Sequence, residues 1–106
     1  MRFLVKIQIP VDIGNAKAMD GSLGPTMQNI LMKQKPEAAY FTDLDGLRTI
    51  FLVITVNAAS DIPGISEAWF LSFNATVEFH TALVPADMAA AEPGIAVAVA
   101  AAGGKS

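Results

Sequence analysis

Ten consecutive residues, Leu47-Arg-Thr-Ile-Phe-Leu-Val-Ile-Thr-Val56, constrain this chain more than any other stretch. Arg48 and two threonines are their only interruptions, and β-branched side chains make up more than half of them. Branching at Cβ restricts χ1 and suits extended backbone, and successive side chains of a strand point to opposite faces. A strand apolar on both faces needs cover on both. The run therefore predicts the central strand of a sheet.

The flanking segments fit around that strand. Arg2 to Ile9 alternates, with Phe3, Val5, Ile7 and Ile9 on one face and Leu4, Lys6 and Gln8 on the other, and Pro10 ends it. Ala16, Met19, Leu23, Met27, Ile30 and Leu31 then recur at helical spacing, with Asn15 as the expected N-cap; Gly21, Gly24 and Pro25 interrupt the helix, with a kink or fresh start expected at Pro25. Glu37 to Thr42 reads as a short strand joined to the central one by a turn at Asp43 to Gly46. Ser60 or Asp61 is positioned to cap a second helix, and Ala75 to Leu83 alternates as a fourth strand. The order β-α-β-β-α-β is the split βαβ of a ferredoxin-like α+β fold. Right-handed crossovers arrange its antiparallel sheet as 4-1-3-2 with both helices on one face.

Residues 1–92 form this single domain. An alanine-rich tail, residues 93–106, follows Pro93-Gly94. Its Ile95, Val97 and Val99 alternate with alanines and predict an extra strand on a sheet edge, across a dimer interface. Composition opposes that expectation, since nine of the chain's 18 alanines lie between Ala86 and Ala102 and alanine is the strongest helix former.

With 53% hydrophobic and only 16% charged residues in 106, so small a domain cannot hide all its apolar surface. Some of it is expected in a subunit interface or a pocket. The net charge of −3, with no basic patch, argues against nucleic acid or an anionic membrane as partner. The absence of cysteine excludes disulfides and thiol chemistry. Met1 to Lys6 reads as strand rather than signal sequence, and the longest uncharged apolar run, Gly94 to Gly104, is 11 residues, so a cytoplasmic protein without a membrane span is expected. No motif implies a cofactor or a metal.

The phrases Asp20-Gly-Ser-Leu-Gly24, Lys35-Pro-Glu-Ala-Ala-Tyr-Phe-Thr42 and Pro63-Gly-Ile-Ser-Glu-Ala-Trp-Phe-Leu-Ser-Phe-Asn-Ala75 resemble a small uncharacterised bacterial family. More broadly, the chain is similar to the dimeric α/β-barrel superfamily, which includes muconolactone isomerases and small-molecule monooxygenases. The resemblance covers roughly residues 1–92. It implies a homodimer and carries over no catalytic residue.

Candidate chemistry is sparse. His80, the one histidine, shares a strand face with Glu78 and with Lys6 and Gln8 across the sheet. The pair is suited to general acid-base work, or equally to a polar cluster on the dimer-facing side. Tyr40, Phe41, Trp69, Phe70 and Phe73 are candidates to line an apolar pocket between helices and sheet, against the ordinary alternative of core packing. Arg48 is placed to grip a carboxylate ligand, or else to pair with Glu37 or a neighbouring acid. Asp43 and Asp45 read as turn chemistry rather than a cation site, and Gly21 to Gly24 lacks the strand that a phosphate loop follows. Two functional classes fit: a small protein that binds or transforms an apolar metabolite, and a non-catalytic homo-oligomeric ligand-sensing or interaction module.

Overall fold

The computed structural model describes residues 1–103. Its elements in chain order are β1 (Arg2–Ile9), α1 (Val11–Asp20), α2 (Leu23–Gln34), β2 (Ala38–Leu44), β3 (Leu47–Thr55), α3 (Ile62–Phe73), β4 (Thr76–Thr81) and α4 (Pro85–Ala101). The four strands form one sheet in the order β2-β3-β1-β4, which counted from the opposite edge is 4-1-3-2. Every neighbouring pair is antiparallel. The architecture is α+β and compatible with a ferredoxin-like arrangement.

Strand alternation divides the sheet into two unlike faces. Val5, Ile7 and Ile9 of β1 and Ile50, Leu52 and Ile54 of β3 are buried against Trp69, Phe73 and Ile30 of the helices. The intervening residues Leu4, Lys6, Gln8, Phe51 and Val53, with Tyr40, Glu78 and His80, occupy the other face, which no helix covers among the described residues. Leu4 there is 37% exposed and Tyr40 65%. At the hairpin, Leu44 pairs with Leu47, leaving the two-residue turn Asp45-Gly46 with φ of 57° and 72°. Two positive φ values define a type I′ turn, whose twist matches that of the flanking strands.

Where the spacing predicts one interrupted helix beginning at Asn15, two helices form, and the first begins at Val11 directly after Pro10. Gly21 ends α1 in the left-handed conformation (φ 85°). Its N–H donates to the Ala18 carbonyl and the Ser22 N–H to that of Lys17. This Schellman-type stop needs a residue free of a Cβ penalty. Pro25 then falls in the first turn of α2, where its missing N–H costs nothing. The break shifts the helical phase, so Met19, read as part of a continuous apolar stripe, is 91% exposed.

The tail corrects the sequence reading most sharply. Residues 95–100 are helical, within the single 17-residue α4 that starts at Pro85 and passes through Pro93. The expected edge strand does not form there, and the boundary at residue 92 falls inside a helix. Residues 104–106 of the tail lie outside the described residues. Alanine's helix propensity outweighs an alternation of large and small side chains that has no hydrogen-bonding edge beside it. Every side chain of α4 is exposed, and the molecule measures 62 by 29 by 21 Å because α4 extends from the body. No helix among the described residues is long and apolar enough to cross a membrane.

Candidate functional site

The sequence-derived candidates separate into three places. On the uncovered sheet face, Lys6 stands directly across from Glu78, and its Nζ lies 2.7 Å from Glu78 Oε2. His80 Nε2 is 4.0 Å from the same oxygen. The hydrogen bond from Lys6, and then its charge, hold the Glu78 carboxyl below its ordinary range, and the same bond raises the Lys6 ammonium. Nearer the sheet end, Glu37 accepts from the Thr55 hydroxyl (2.8 Å) and from Arg2 Nε (3.2 Å), which lowers its pKa likewise. Glu37 is thus the partner of Arg2, not of Arg48.

These carboxylates set a pH dependence with a definite sign. A group whose folded pKa lies below its unfolded value stabilises the fold above the unfolded value, and that contribution is lost as pH falls through the folded one. For Glu78 and Glu37 the ordinary value is 4.5, so the urea midpoint should hold near neutrality and fall below about pH 4.5. The variant Glu78→Gln should show a shallower fall over that range. Identical acid limbs for variant and wild type would remove Glu78 from the account.

Trp69 and Phe73 occupy a second place, the core between α2, α3 and the sheet. Both are fully buried and stacked, with ring centroids 5.9 Å apart. Trp69 Nε1 donates to Gln34 Oε1 at 3.1 Å, and Gln34 Nε2 donates to the Ile65 carbonyl at 3.0 Å. A buried indole N–H needs a partner, and here that need ties α3 to the end of α2.

Arg48 marks the third place. It projects on the helix-bearing side of β3, where its Nη2 donates to Asn15 Oδ1 at 3.0 Å. Asn15 serves here as an acceptor from inside α1 rather than as its cap. Gly14 is buried beneath the guanidinium, and a Cβ at that position would lie 2.5 Å from Nη1. Arg48 forms no ion pair within 4.0 Å among the described residues. Beside it opens a cleft of about 470 Å³ between α2 and the hairpin, with Met27, Phe41 and Ile50 as its apolar walls. Asp43 and the threonines Thr42 and Thr49 complete the lining. A second hollow of about 350 Å³ shares Met27 and Phe41 and runs along α2 past Pro25 and Leu31. A further cleft of about 430 Å³ lies at the other end, against Gln34, Asn57 and Asp61.

None of these three clefts is lined by Trp69, Phe73, Tyr40 or His80. Of the candidate pocket residues, Arg48 and Phe41 reach the first cleft, and Asp43, read from the sequence as turn chemistry, lines it beside them. Met27, which helical spacing assigned to an apolar stripe, is a wall of that cleft, and Asn15, expected as an N-cap, instead holds Arg48 beside it. The register of the hairpin was the available signal: a two-residue turn at Asp45-Gly46 places Asp43 opposite Arg48.

No protein-family model matches the chain, and no curated protein is significantly similar to it. Among solved structures it is similar to a formyltetrahydrofolate deformylase from Pseudomonas putida KT2440, with a TM-score of 0.48 and 13% identity. That match covers 77% of this chain and 29% of the deformylase chain, so this chain spans less than a third of its length. So low a similarity carries no argument about activity.

Proposed function

We propose that the protein is a homodimeric binding protein for small, largely apolar carboxylates, held in the cleft between α2 and the β2–β3 hairpin. Arg48 carries this reading. Its guanidinium is oriented by Asn15 and Gly14, has no carboxylate partner within 4.0 Å among the described residues, and borders a cleft with apolar walls. Guanidinium presents a rigid fork of donors that matches a carboxylate, and Met27, Phe41 and Ile50 beside it offer apolar contact for the rest of a small ligand. The homodimer is supported by the apolar residues of the uncovered sheet face and by the resemblance to dimeric α/β barrels, in which two such sheets pack face to face.

An acid-base enzyme is the second reading, favoured by the row Lys6, Glu78 and His80. Lys6 holds Glu78 ionised and hydrogen-bonded, which makes it a poor proton acceptor. A thermal-shift screen of apolar monocarboxylates and amino acids should raise the melting temperature of the wild type, because a ligand that prefers the native state stabilises it. The rise should vanish in Arg48→Gln. Absence of any shift, or equal shifts in both proteins, would overturn the reading.

A further inference from the structure

Asp43 and Arg48 are direct cross-strand partners on β2 and β3. Opposite charges in that relation, with Cβ atoms about 5 Å apart, ordinarily attract one another across the ladder. Here they form no ion pair. Arg48 leans toward α1, where Asn15 accepts its hydrogen bond and the missing side chain of Gly14 makes room for it. Asp43 stays on the exposed edge strand, and both residues line the same cleft. A plain carboxylate entering beside Arg48 meets the Asp43 carboxylate as a repulsive neighbour.

We propose that the cleft is built for a zwitterion: a small apolar molecule carrying a carboxylate and an adjacent ammonium, as a free α-amino acid does. The carboxylate lies against Arg48 and the ammonium against Asp43, while the apolar side chain rests on Met27, Phe41 and Ile50. Each ligand charge then answers a charge that the fold leaves without a partner. The neighbouring positions of Asp43 and Arg48 require the two ligand charges to be close together. This inference rests on the cleft being the binding site.

Calorimetry with three probes of one shape separates the two claims. L-phenylalanine carries both charges, 3-phenylpropionate lacks the ammonium and phenethylamine lacks the carboxylate. L-phenylalanine should bind the wild type at least about tenfold more tightly than either, a discrimination typical of a charge left unpaired by the wrong ligand. Asp43→Asn should abolish that preference by weakening L-phenylalanine about tenfold while leaving 3-phenylpropionate unchanged or improved. Asp43 is exposed, so the variant retains its fold, which circular dichroism verifies. If 3-phenylpropionate binds as tightly as L-phenylalanine and Arg48→Gln removes both, the carboxylate site stands and the zwitterion inference fails. If no probe binds the wild type, both fail.

Discussion

Replacing Trp69 by alanine lowers the unfolding free energy by about 3–5 kcal/mol. Its side chain is wholly buried and stacked on Phe73, so truncation leaves a cavity bounded by two helices and the sheet. It also leaves Gln34 Oε1 without its donor, severing the hydrogen-bonded link through Gln34 to the Ile65 carbonyl. For a small domain this is a large fraction of total stability. The more conservative Trp69→Phe should keep most of the packing and lose the bond, at a cost of about 1–2 kcal/mol. Urea denaturation of both variants measures the two parts. A loss below about 1 kcal/mol for Trp69→Ala would mean that Trp69 does not hold α2 against α3.

For the proposed homodimer, a chain ending at Val84 should keep its sheet and three packed helices yet associate at least about 10²-fold more weakly. All of α4 is exposed in the single subunit, with Met88, Ile95, Val97 and Val99 each about half or more accessible and only Asp87 and Glu92 charged. A helix apolar all round belongs in an interior, and α4 has none within its own subunit. It leaves the body from β4, the edge strand that carries Glu78 and His80 on the uncovered face. Burial of a large aliphatic side chain is worth roughly 1.5–3 kcal/mol, so even partial cover of four of them moves a dimer constant by orders of magnitude. Sedimentation equilibrium of the truncated and full chains measures the difference. An unchanged constant would show that α4 takes no part in association.

Much of the body was legible because its signals are local or strictly periodic. Alternation in β1 separates Val5, Ile7 and Ile9 from Leu4, Lys6 and Gln8, and the pleat admits no other division. A turn was legible between Asp43 and Gly46, but the strands run on to Leu44 and Leu47, and it is the resulting two-residue turn that sets the register of the hairpin. An interruption at Gly21 was legible, but not that it is a left-handed stop ending a helix that had begun at Val11, which resets the phase of everything after it. The tail was misread because alternating alanine and valine satisfies two patterns at once.

The candidate site was far less legible. Arg48 stands out in sequence as a lone charge in an apolar run, but what becomes of its guanidinium depends on α1 crossing beside it. Residues 14 and 15 come to position 48 only through the βα crossover, a long-range event with no trace in local spacing. Trp69 looks the same in sequence whether it lines a pocket or fills a core, and its fate turns on whether Gln34 is there to accept its proton.

By itself the sequence therefore determined an α+β chain with four strands in this order and a two-faced sheet, since period-2 alternation and turn chemistry act within a few residues of chain. Tertiary structure alone decided that Arg48 turns from Asp43 to Asn15 and that Trp69 is sealed in the core. Those outcomes depend on which side chains meet across 30 or more residues of chain. Such contacts are selected by packing and hydrogen-bond satisfaction in three dimensions, not by any preference readable at one position.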